Sequence, residues 1–123
     1  MKLSAHFDLS EFHSKDGQEV PQAAYGELRD LCRRFLEPLR RRFGPTTILS
    51  GYRSPRHNEA VGGAPRSFHR YDIVGRQGVA ADVHCARGTA AQWSAFLEEK
   101  SPGGLGKYPG FVHVDTRFGR ARW

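Results

Sequence analysis

The sequence predicts an α+β fold, a small and mainly antiparallel sheet flanked by helices. Three short runs, TTILS, VAADVHC and FVHVDT, are apolar and β-branched enough to be strands. Two other stretches repeat apolar residues at three- and four-residue steps, as amphipathic helices do. Strands and helices do not alternate as regular βαβ units, which argues against a parallel α/β sheet.

Taken in order, the chain opens with HFDLSEF, and Pro21 is well placed to start a helix. Leu28, Leu31, Phe35, Leu39 and Phe43 then form one apolar stripe, with Arg29, Arg33, Arg40 and Arg41 opposite. Gly44-Pro45 stops this helix, and Pro38 is expected to kink its last turns. TTILS follows as a strand and leads into the glycine-rich, polar stretch GYRSPRHNEAVGGAPRSFHRYD, the kind of loop that carries function. After the strand VAADVHC, Thr89 can cap a helix that turns Trp93, Phe96 and Leu97 inward. GGLGKYPG reads as a turn-rich connector, FVHVDT as the last strand, and the closing ARW as a segment that docks Trp123 on the body.

Composition narrows the class. A chain of 123 residues fits one domain, here taken as 1–123, and can bury roughly two-thirds of its unfolded surface. No apolar run approaches the ~18 residues of a membrane span. The opening MKLSAHFDLSEF carries acids and a histidine where a secretory leader needs an unbroken apolar stretch, so no export signal is expected there. Cys32 and Cys85, the only cysteines, have no CxxC spacing and are expected to be buried thiols. The net charge of +6 suits a polyanionic neighbour, either nucleic acid or an acidic wall polymer. The run RRFLEPLRRRFG is the best hint of nucleic acid, although arginines on the outer side of an amphipathic helix are ordinarily a solvated face.

Three polar residues sit beside strands or ordered turns: His69, Asp82 and His113. Two imidazoles and a carboxylate can hold a catalytic zinc while leaving one tetrahedral position open. Spacing alone does not single this triple out, because the chain has six histidines and many acids. Asp72, three residues after His69, and His84, on the same strand face as Asp82, are rival ligands.

The ordered motifs SGYRSPRHNEAVGGAPRSFH, GVAAD, GGLGKYPGFVHVD and RARW resemble the zinc D-alanyl-D-alanine peptidase family, whose metal fold is similar to that of the Hedgehog signalling domain. The likeness runs over almost the whole chain and is nearest to the compact branch of phage and wall-remodelling enzymes. It implies one zinc ion per chain on His69, Asp82 and His113, with Arg53 stabilising the oxyanion and Ser67 either holding the substrate peptide or bracing the turn around His69. Tyr108 in GLGKYPG is expected either to line the substrate groove or to pack over the sheet as a turn aromatic. The resemblance also implies zinc-dependent hydrolysis of a peptide bond in peptidoglycan stem peptides or cross-links, as a carboxypeptidase or an endopeptidase. A monomer acting on the bacterial wall, released by phage or exported by another route, is then expected, with no nucleic acid partner. The alternative is a non-catalytic basic module that binds cell wall or nucleic acid.

Two departures from the family pattern stand out. His69 and Asp82 lie thirteen residues apart, which leaves six residues within RYDIVGRQG extra. A surface insertion of this size costs little, since loop closure grows only logarithmically with length; the extra loop is expected at the rim of the cleft. Relatives also place an acid or a histidine shortly before the final ligand, where this chain has Gly110 and Phe111. Asp115, two residues beyond His113 on the same strand face, is the candidate base, or else it orients His113.

Overall fold

The computed structural model describes residues 1–123. A short 3-10 turn at Leu9–Phe12 comes first, closed by a capping box in which the Ser10 N–H donates to Asp8 and the Asp8 N–H to Glu11. It buries Leu9 and Phe12. A helical rod then runs through a 3-10 turn at Gln22–Ala24, α1 (Tyr25–Leu31), a widened π turn at Cys32–Leu36, and α2 (Glu37–Phe43). Leu28, Leu31, Phe35, Leu36 and Leu39 are all 0% exposed, so the apolar stripe is the buried face. Arg33, Arg41 and Arg42 point to solvent.

At Pro38, where a kink is expected, the helical hydrogen-bond pattern changes. Proline has no N–H to give the carbonyl four residues back. The chain widens just before it instead, with the Glu37 N–H donating to the Cys32 carbonyl, five residues away. Glu37 itself is buried and holds the N-terminal segment. It accepts the Ser4 hydroxyl at 2.6 Å, the His6 backbone N–H at 2.7 Å, and a contact with His6 Nδ1 at 2.7 Å.

The remaining elements are β1 (Thr46–Ser50), α3 (Pro55–Ala60), β2 (Ala80–Cys85), α4 (Ala90–Glu98), β3 (Gly104–Lys107), β4 (Val112–Asp115) and β5 (Ala121–Arg122). The five strands are ordered β1-β2-β4-β3-β5, antiparallel throughout except for the parallel β3/β5 edge. Helices pack on the sheet, and one cluster of 26 buried apolar residues joins them. The Thr89 capping box forms with Gln92, and Trp93 and Leu97 are buried while Phe96 is partly so. Both cysteines are free and buried; burial pushes the Cys32 thiol up to about 12.

The segment GGLGKYPG, expected as a connector, contains strand β3. Gly104 and Gly106 within it serve packing rather than turning. A Cβ on Gly104 would overlap the Asp115 carboxylate on the neighbouring strand, and one on Gly106 would overlap the Trp123 indole. The extra loop between His69 and Asp82 also lies elsewhere than expected. Residues 71–79 line a hollow against Pro21, Ala24 and Glu27 of the rod, and none of them lines the cleft described below. The loop closes on the protein's interior, with the Tyr71 hydroxyl donating to the Ala80 carbonyl at 2.6 Å.

Gly104→Ala is expected to destabilise the fold by about 1–3 kcal/mol through overpacking against Asp115. Urea denaturation reads this as a lowered midpoint with unchanged slope. A midpoint equal to the wild type would contradict the packing role given to this glycine.

Candidate metal centre

Strand register supplies two of the three predicted ligands. Asp82 on β2 and His113 on β4 are directly paired across the antiparallel ladder, and cross-strand partners share one face. His69 arrives from the loop after α3. Its turn is fixed by its own N–H donating to Ser67 Oγ at 3.2 Å, and by the Arg53 N–H donating to the His69 carbonyl at 2.7 Å. The three residues are 3%, 8% and 6% exposed in the order His69, Asp82, His113.

Their ligand atoms converge. His69 Nε2 and His113 Nδ1 each lie 3.1 Å from Asp82 Oδ1, and one ligand atom from each residue falls within 4.8 Å of the others. Metal bonds of about 2.0–2.1 Å at tetrahedral angles place neighbouring ligands ~3.3 Å apart. The spacing therefore suits one ion.

The outer hydrogen bonds decide what the inner atoms can be. His69 Nδ1–H donates to the Gly51 carbonyl at 2.7 Å, and His113 Nε2–H donates to Asp115 Oδ2 at 2.7 Å. In the neutral rings each inner nitrogen then presents a lone pair to Asp82. Two lone pairs and a carboxylate facing one another need a proton or a metal cation between them, and a divalent ion fits this donor set. The charges respond accordingly. Where an inner nitrogen carries a proton, the hydrogen bonds from His113 and His69 outweigh the upward push of burial and hold the Asp82 carboxyl well below the usual carboxylate range. Burial pushes His113 down, and its contacts with Asp115 and Asp82 more than offset this.

Asp115 is completely buried, and its oxygens are taken. Besides His113, it accepts the Gly104 N–H at 2.7 Å, the Arg117 N–H at 3.0 Å, and the Arg117 guanidinium through Nε at 3.0 Å and Nη2 at 2.8 Å. Despite the cost of burial, these bonds hold its carboxyl far below the ordinary range. The rival ligands lie outside the cluster. Asp72 is bound by the Arg70 guanidinium at 2.9 and 2.8 Å, and His84 is exposed, donating through Nδ1 to the Gly110 carbonyl at 2.9 Å.

The ligands form the floor of an open cleft of about 510 Å³. Arg53 stands at its side, its guanidinium donating to Ser50 Oγ at 3.3 Å and Asn58 Oδ1 at 3.5 Å and lying 3.7 Å from Asp82 Oδ2. Buried Asn58 also donates to the Ala64 carbonyl at 2.8 Å, so the loop HNEAVGGA fixes the arginine. Ser67 and Tyr108 both reach the cleft. Tyr108 stacks on Phe111 with ring centroids 4.4 Å apart.

Arg66, Phe68, Arg117 and Trp123 line the cleft as well, and none of them stood out in the sequence. For Arg117 a signal was present. His113, Asp115 and Arg117 alternate on one strand face, so an arginine two residues past a buried aspartate is its natural partner. Trp123 carried no such mark, because its place depends on β5 pairing with a strand that reads as a turn.

A search of curated proteins found no match, but the family described as peptidase M15 matches residues 5–115, which takes in the loop arginine, all three metal-ligand candidates and Asp115. The chain belongs to this zinc D-alanyl-D-alanine peptidase-type family of metal-dependent peptidases.

Proposed function

We propose that the protein hydrolyses a peptide bond in peptidoglycan stem peptides or cross-links, using one zinc ion held by His69, Asp82 and His113. The observation that carries this reading is the inward-facing trio itself, whose two inner ring nitrogens and carboxylate converge at the spacing of ligands around one metal ion. A zinc ion bound there would supply an electrophile for the carbonyl and lower the pKa of a coordinated water toward ~7. Zinc rather than calcium or magnesium suits a set with two imidazoles.

The chain's own residues divide the remaining work. Arg53 donates hydrogen bonds to the carbonyl oxygen as it gains charge, a contribution of roughly 3–4 kcal/mol for a preorganised donor. Its three anchors hold the guanidinium beside the ligands, so no rearrangement accompanies the charge. Ser67 braces the His69 turn and presents its hydroxyl to the peptide. Asp115 orients His113 and keeps its Nε2 protonated. It does not serve as the base, because it has no exposed oxygen and already accepts from His113, Gly104 and Arg117. Arg53, Arg66 and Arg117 give the cleft a cationic lining that suits the carboxylates of stem peptides.

Equilibrium dialysis is expected to give one zinc per chain, lost in His113→Ala. Zinc-loaded protein incubated with purified peptidoglycan should release fragments detectable by mass spectrometry, and a chelated control and His113→Ala should not. Fragment masses then distinguish removal of a terminal D-alanine from an internal cut. Absence of metal-dependent fragments from walls of several chemotypes would establish the binding-only alternative instead. Asp115→Asn should weaken zinc affinity 10–100-fold while turnover recovers when zinc is in excess. A loss of turnover that excess zinc does not restore would make Asp115 the base.

A further inference from the structure

We propose that Tyr108 is a catalytic proton donor, giving its phenolic proton to the leaving nitrogen of the cleaved peptide bond. The inference rests on the peptidase reading above and names a residue for a task that the ligand set and Arg53 leave open.

The argument starts at Trp123. Its backbone is fastened to β3, with the Lys107 N–H donating to the Trp123 carbonyl at 2.9 Å and the Trp123 N–H to the Leu105 carbonyl at 3.1 Å. This lays the indole over Gly106, where no Cβ intervenes, and Gly106 is the β3 partner of His113. The indole thus sits 4.8 Å from the His113 ring, centroid to centroid. An indole N–H can only donate. It donates to the Tyr108 hydroxyl at 2.7 Å, which fixes that oxygen as the acceptor.

The phenolic proton has no acceptor in the protein, so it is available to whatever occupies the cleft. Stacking on Phe111, nearly parallel at 7°, holds the ring in place. The lining offers no other group for this task. Its only acid is Asp82, which faces the two imidazoles, and its arginines do not release protons.

Cleavage of an amide needs a proton on nitrogen before the carbon–nitrogen bond can break at a useful rate. In the step proposed, an oxygen–carbon bond forms from water to the carbonyl carbon. Nitrogen takes the Tyr108 proton on its lone pair, and the carbon–nitrogen bond then breaks with its electron pair staying on nitrogen. The phenolate recovers a proton from the attacking water. One water is consumed and the tyrosine ends unchanged.

The test compares zinc-loaded wild type, Tyr108→Phe and Trp123→Phe on a synthetic stem peptide containing the bond that wild type cuts in purified peptidoglycan. A matched ester, with oxygen in place of the scissile NH, serves as second substrate, because an alkoxide leaves with less help than an amide nitrogen. Tyr108→Phe should lower kcat on the amide about 100-fold or more, with KM within about threefold, and lower kcat on the ester less than about tenfold. Trp123→Phe keeps a ring but loses the N–H, and its loss should be smaller yet skewed to the amide in the same way. Zinc affinity should be unchanged in Tyr108→Phe. Equal losses on amide and ester, a change in KM alone, or undiminished kcat would overturn the proposal while leaving the peptidase reading intact. A wild type inactive on every wall chemotype would overturn that reading and this inference with it.

Discussion

The site depends on one constraint: the outer nitrogen of each histidine is hydrogen-bonded before any metal arrives. His69 gives its Nδ1–H to the Gly51 carbonyl, and His113 gives its Nε2–H to Asp115. These two bonds choose the tautomers, and the tautomers turn two lone pairs toward Asp82. Much of the local sequence serves that choice. Gly104 lacks a side chain because the Asp115 carboxylate occupies the space a Cβ would take. Arg117 neutralises Asp115, which would otherwise be a buried charge balanced only by an imidazole. The arrangement favours a positive charge at this point, since a carboxylate facing two lone pairs is unfavourable until a proton or a metal ion separates them.

What the sequence made legible follows from how local each signal is. β1, β2, β4 and α4 announce themselves through apolar alternation and a capping threonine, properties of a few adjacent residues. The β2/β4 pairing of Asp82 with His113 joins residues far apart in the chain and appears only in the structure. β3 was not legible, because Gly104 and Gly106 imitate a turn, and their purpose appears only when Asp115 and Trp123 are placed beside them. The π turn before Pro38 was missed because a proline inside a helical pattern does not say on which side the chain will yield. Trp123 entered the reading as an anchored tail, whereas it forms a wall of the cleft.

The extra loop shows how an insertion between two ligands can be harmless. Lengthening a loop from six intervening residues to twelve costs roughly 0.6 kcal/mol in closure entropy. This loop also makes contacts of its own. The Arg76 guanidinium donates to the carbonyls of Arg66, Ser67 and Arg70, the last two at 2.9 Å. These residues form the turn that presents His69. Its charge also rests on the Phe68 ring at 4.1 Å, and Arg117 rests on the same ring at 4.2 Å. Phe68 therefore links the His69 turn to the arginine that braces Asp115. The insertion lies behind the ligands and ties their two supports together.

The positive charge divides by structure into two populations. On the outer face of the rod, Arg33, Arg41 and Arg42 are solvated, and Arg34 pairs with Asp30 at 3.0 Å; such charges act at long range and fade with salt. In the cleft, Arg53 and Arg117 are partly buried and anchored by several bonds each, so their fields act at short range in a less screened setting. Under the proposed function, neutralising the rod arginines would alter how fast an anionic wall is approached, a term in association rate. Under the same proposal, altering Arg53 would remove a donor aimed at a reacting group, a term in turnover. The charge summary of the sequence holds both and cannot tell them apart, because the distinction lies in which guanidinium groups the fold has fixed in place.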